Sequence, residues 1–110
     1  MNHSVNPQRG EVPLVINGTA CTLRLTLGAL AALEARLEAD SLMGLAERFD
    51  SGRVGSAELI ALLSAGLAGG GHPISEEDLA DANIEGGAVT AMRAGVELLK
   101  LAFQPFQADG

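Results

Sequence analysis

The stretch RGEVPLVINGTACTLRLTLGALAALEARL, Arg9 to Leu37, changes its hydrophobic period from two to nearly four. Val12, Leu14 and Ile16 alternate up to Asn17-Gly18, and Cys21, Leu23 and Leu25 alternate away from it. Asn-Gly supplies the two residues that tolerate positive φ in a type I′ turn. A two-residue loop then sets Ile16 opposite Thr19, Leu14 opposite Cys21 and Val12 opposite Leu23, giving a hairpin with one apolar face. From Leu27 the apolar positions fall at Leu27, Leu30, Leu33 and Leu37, a helical stripe with Glu34, Arg36 and Glu38 set against it. Strand runs straight into helix, and Thr26 is the expected N-cap.

Working outward, the hairpin covers Glu11 to Leu25, with Pro13 confining its strand to an edge because it has no N–H to donate. Helix one is expected over Leu27 to Ala39. A short second helix after Ser41 carries the stripe Leu42, Leu45, Ala46 and Phe49, and Asp50-Ser51-Gly52 stops it. Ser56 is the expected cap of a third helix running through Ala68. Its Leu59, Ile60, Leu62, Leu63 and Leu67 cover most of the circumference, so it should be central. Gly69-Gly70-Gly71 ends it and His72-Pro73 forbids continuation. Ser75 caps a fourth helix with Asp78 three residues on. The last helix, Ala88 to Gln104, repeats Val89, Met92, Val96, Leu99 and Phe103, and Pro105 closes it before Phe106.

These elements predict an α+β fold, an N-terminal two-stranded β-hairpin packed on a bundle of four to five α-helices. Residues 1–8 read as a flexible arm, 9–106 as one hairpin-plus-helices domain and 107–110 as a flexible tail. A chain of 110 residues holds one modest core. Hydrophobic residues at 47% and a mean hydropathy of +0.24 supply apolar surface enough to offset ordering entropy, with a surplus that suits either partner contact or an alanine-rich helical core.

The formal net charge of −7 and the scattered basic residues speak against nucleic acid, whose recognition rests on clustered Lys and Arg. Tyr and Trp are absent, which removes the usual base-stacking platforms. Cys21 is the only cysteine, so no internal disulfide forms and a reducing bacterial cytoplasm fits. The sequence MNHSVNPQRGEV has no apolar signal core, and no segment has the apolar length of a membrane span.

Candidate chemistry is sparse. In the loop Glu47 to Glu58, ERFDSGRVGSAE, Gly52, Val54 and Glu58 fall at the sixth, eighth and twelfth positions of an EF-hand. Phe49 at the third position has no ligand oxygen and Ser51 stands at the fifth, so too little charge remains to replace water around calcium. The chain is read as taking no metal and no cofactor. A Cys21/His72 dyad would need the thiol exposed, yet Cys21 alternates with Leu23 on the apolar face. His3 has no partner at ligand spacing. Glu76, Glu77 and Asp78 complement the start of a helix dipole, and Gly69-Gly70-Gly71 follows a helix where a phosphate loop precedes one. No catalytic residue is assigned.

Across nearly its full length the sequence resembles the small proteins encoded in gene transfer agent clusters, the phage-like particles of alphaproteobacteria, and the related phage tail tube or tail assembly chaperone proteins. The resemblance is carried by Arg9-Gly10-Glu11-Val12, Asn17-Gly18 and Leu23-Arg24-Leu25-Thr26-Leu27-Gly28-Ala29-Leu30. It returns in Leu45-Ala46-Glu47-Arg48-Phe49, in the run Leu62 to Gly71, and in Glu85-Gly86-Gly87-Ala88 followed by a helix ending Ala102-Phe103. It implies a non-enzymatic tail morphogenesis protein, a tail assembly chaperone engaging tape measure or tail tube protein, in the cytoplasm or in a virion-like particle. A structural tail component retained in the particle is the alternative, which so helical a chain suits less because tube rings use long strands. A small regulatory or enzymatic domain is the second alternative. Leu99, Phe103 and Phe106 are the expected partner-binding residues, on a helix stripe that also reads as intramolecular core, and homo-oligomerisation stays open.

Overall fold

The computed structural model describes residues 10–38 and 42–103. The hairpin consists of β1 (Glu11–Ile16) and β2 (Thr19–Arg24), antiparallel, with Ile16 opposite Thr19, Leu14 opposite Cys21 and Val12 opposite Leu23. Asn17 and Gly18 both have positive φ, 52° and 80°, as the type I′ turn demands. Five helices follow: α1 (Leu27–Leu37), α2 (Leu42–Asp50), α3 (Ser56–Gly69), α4 (Glu76–Ala80) and α5 (Gly87–Phe103). The expected arm, the expected tail and Phe106 lie outside the described residues.

The two sides of α3 serve two cores, which is why its apolar residues encircle it. On one side Leu63 and Leu67 meet Val12, Leu14, Ile16, Cys21 and Leu23 of the hairpin, with Leu79 of α4 and Ala91, Ala94 and Leu98 of α5. On the other, Ala61 and Leu62 meet Leu33 of α1, Leu45 and Phe49 of α2 and Leu99 of α5. Small residues set the helix spacing. A Cβ on Gly66 would lie 2.7 Å from a Leu98 methyl, and one on Gly95 would lie 3.0 Å from a Leu62 methyl.

Each outer edge of the hairpin is met over part of its length. Along β1, Glu85 donates its N–H to the Val15 carbonyl at 3.0 Å, and Ile16 bridges Ile84. Asn17 and Asn83 clasp each other reciprocally, the Asn17 N–H donating to the Asn83 carbonyl and the Asn83 N–H to the Asn17 Oδ1, each at 2.8 Å. Along β2, the backbone of Gly69 and Gly70 sits so close that a Cβ on either would collide with the carbonyl oxygens of Arg24 and Thr22 respectively. Gly71, at φ 93°, closes α3 in a Schellman arrangement, with the His72 N–H reaching the Leu67 carbonyl at 2.9 Å.

Local signals place the helix starts. Thr26 Oγ1 accepts from the Ala29 N–H at 3.0 Å, and Ser75 Oγ from the Asp78 N–H at 3.0 Å. Four expectations are corrected. The N-cap of α3 is Gly55 rather than Ser56, because the Glu58 carboxylate reaches back to the Gly55 N–H at 2.9 Å and satisfies the terminus from within the helix. Helix α1 stops at Leu37, where Glu38 turns left-handed at φ 54° and donates its N–H to Ala35. Leu27 opens α1 at 85% exposure and does not belong to the buried stripe. In α5 the buried face is Ala91, Ala94, Leu98 and Leu99, whereas Val89 is exposed and Met92 and Val96 are half-buried.

Candidate functional site

Helix α2 is amphipathic and short, and two devices hold its C-terminal end. The Arg53 N–H reaches the Arg48 carbonyl at 3.0 Å and the Gly52 N–H the Phe49 carbonyl at 3.2 Å, a Schellman closure at Asp50-Ser51-Gly52. Arg48 also forms an ion pair with Glu58, joining the end of α2 to the start of α3. With α2 fixed there, Leu45 and Phe49 enter the core beside Leu99 of α5.

Between α2 and α5 lies an open apolar groove of about 270 Å³. Its floor is Phe49 and Leu99, 1% and 2% exposed. Ala46 and Val96 form the walls, and Met43, 64% exposed, stands at the mouth. Glu47 and Asp50 rim the α2 side and Lys100 the α5 side. Of the expected partner-binding residues, Leu99 is thus the floor of this groove and Phe103 is the last residue of α5. The sequence offered no candidate on α2, because Ala46 reads as part of its inward stripe and Met43 and Glu47, beside it, carry no signal of their own.

A second hollow of about 310 Å³ is lined by Ile16, Asn17, Thr19, Cys21, His72, Pro73 and Ile74. It brings together the two residues of the candidate dyad. Cys21, however, is 4% exposed, and its thiol donates to the Thr19 carbonyl at 3.5 Å. A nucleophile needs a base within hydrogen-bond reach and a third group orienting that base, and neither contact is made among the described residues. In the former EF-hand candidate, Glu58 spends its carboxylate on Arg48 and the Gly55 N–H. The acidic start of α4 is likewise engaged, Glu76 taking a two-pronged hydrogen bond from Arg36 at 2.9 and 3.2 Å.

Fold and groove describe a small α+β domain with an apolar surface of the kind that packs against other proteins. The chain belongs to the family described as phage tail tube protein, GTA-gp10, which matches residues 9–105. The match places it among the tail proteins of gene transfer agents and phages. Comparison with curated proteins and with solved structures gave no match. No helix among the described residues is long and apolar enough to cross a membrane.

Proposed function

We propose that the chain is a non-enzymatic tail morphogenesis protein acting as a tail assembly chaperone, which holds an apolar segment of the tape measure or tail tube protein in the groove between α2 and α5. The apolar groove carries this reading, since Phe49, Leu99, Ala46 and Val96 form a concave surface that a helix can enter. Leu99, Phe103 and Phe106 are the residues proposed to contact the client. Work of this kind takes place in the bacterial cytoplasm, before the particle is complete.

A second reading, a structural component retained in the particle, is favoured by the family's description as a tail tube protein. Against it stand the shortness of the strands, six residues each, and the contacts of Glu85 with Val15 and of Gly69 and Gly70 with β2, which shorten the backbone on which a neighbour could extend a sheet. Two measurements decide between them. The chaperone should co-purify with tape measure or tail tube protein from cells expressing the whole gene cluster, and be missing from purified particles by mass spectrometry. Finding it in particles at the copy number of a tail subunit establishes the structural role instead. Retained co-purification of the double variant Met43→Gln/Ala46→Gln, which makes the groove polar, refutes the assignment of the groove.

A further inference from the structure

The groove is apolar at its floor and electrically lopsided at its rim. Glu47 and Asp50 stand one turn apart on α2, both exposed, at the helix end where the dipole adds negative potential. Neither takes an ion-pair partner among the described residues, where the pairs are Arg36 with Glu76 and Arg48 with Glu58. Among the described residues the single cation on the rim, Lys100, is on the opposite side. At about 270 Å³ and open to solvent, the groove suits a few side chains projecting from one face of a helix.

We propose that this groove recognises a cationic amphipathic helix, with apolar side chains at i, i+3 or i+4 and i+7 resting on Phe49 and Leu99, and Lys or Arg residues along the flank that meets Glu47 and Asp50. The proposal rests on the chaperone reading and specifies the chemistry of the client segment. A second copy of the chain fits the groove poorly, because it brings the same formal charge of −7 to a rim already carrying two unneutralised carboxylates. A purely apolar segment would leave those carboxylates partly desolvated and unpaired, which opposes binding.

The test uses the full chain and three fluorescently labelled peptides of about 18 residues, long enough to hold a helix. One carries a leucine stripe flanked by lysines, the second the same stripe flanked by glutamates, and the third the lysine peptide with its order scrambled. In fluorescence anisotropy the striped lysine peptide should bind about tenfold more tightly than either of the others. Glu47→Lys/Asp50→Lys should remove or invert the preference for lysine, and Met43→Gln/Ala46→Gln should weaken the striped lysine peptide. Melting curves check that both variants are folded.

Equal binding of the lysine and glutamate peptides overturns the proposal, as does equal binding of the striped and scrambled ones. A dimer in sedimentation that Met43→Gln/Ala46→Gln dissociates also overturns it, because the occupant is then a second copy. Co-purification from the gene cluster separates the two levels of the argument. If Met43→Gln/Ala46→Gln loses the client while Glu47→Lys/Asp50→Lys keeps it, the chaperone reading stands and the cationic helix falls. If neither variant loses it, the groove assignment and the cationic helix both fall while client binding itself stands, and if the client is absent even with the unaltered chain, the chaperone reading falls.

Discussion

Replacing Gly70 by alanine tests the seating of α3 on β2 at one atom. The backbone of Gly70 is ordinary, φ −88° and ψ −2°, so alanine meets no conformational barrier, and shortening the list of unfolded conformers gains about 0.4–1 kcal/mol. The new methyl nevertheless falls on the Thr22 carbonyl oxygen. That obstacle is strand backbone paired through β2 to β1, so it cannot rotate aside as a side chain would. Overpacking of this kind costs about 1–3 kcal/mol, and a backbone obstacle belongs at the upper end. The expected net loss is about 2 kcal/mol, or a Tm lower by about 10 °C. Gly69→Ala should behave alike through the Arg24 carbonyl. The double variant should cost less than the sum, because one retreat of the helix end relieves both clashes. Gly28→Ala is the control, since its Cβ would meet only Thr26 Oγ1 at 3.9 Å, and alanine inside α1 should stabilise by about 0.5–1 kcal/mol. Urea unfolding followed by circular dichroism reads all four, with m unchanged. A Gly70→Ala protein as stable as the parent would mean that α3 does not rest on the strand.

Leu98→Ala, at a side chain 1% exposed, should cost about 2–5 kcal/mol and melt below Val96→Asp, whose side chain lines the open groove; the reverse order in thermal melts would make Val96 the core residue. Asn17→Ala should lose about 2 kcal/mol, combining a left-handed backbone with a missing bond to the Asn83 N–H, whereas Asn17→Gly should lose only the bond. Equal unfolding midpoints for the two would remove the side-chain clasp from the account. The Cys21 thiol should react with an aromatic disulfide only as fast as the fold opens, and labelling at the rate of a free thiol would place it on the surface.

The hairpin was legible to the residue because Asn17-Gly18 fixes both turn type and loop length, and the register then follows from the pleat. Thr26 and Ser75 were legible for a similar reason: a cap is a local bond between a side chain and a backbone N–H three residues on. What failed was judged by side-chain size or chemistry alone. The apolar repeat in α5 selects Val89, Met92 and Val96, yet the helix lies against hairpin and α3 through Ala91, Ala94 and Gly95, whose smallness permits close approach and leaves little mark in a hydrophobic pattern. Gly69, Gly70 and Gly71 read as helix terminators and do end α3, but the first two have a second role invisible in the local pattern, a close approach to the carbonyls of a strand far away in sequence. The groove escaped notice because its walls come from helices separated by α3 and α4. No window along the chain contains both.

The first strand finds its main helical neighbour in the last helix, and the Asn17–Asn83 clasp joins residues 66 apart. A hairpin forms locally within microseconds, but this one has an apolar face that only the whole chain can cover. During synthesis at about 5–20 residues per second, Val12, Leu14 and Ile16 therefore wait several seconds for Ala91, Ala94 and Leu98 to be made. The protein spends that interval as an unfinished core. A ribosome stalled before α5 would release a chain with the hairpin uncovered, fit for aggregation or for the cell's proteases, so that a chain folds only once α5 has been made.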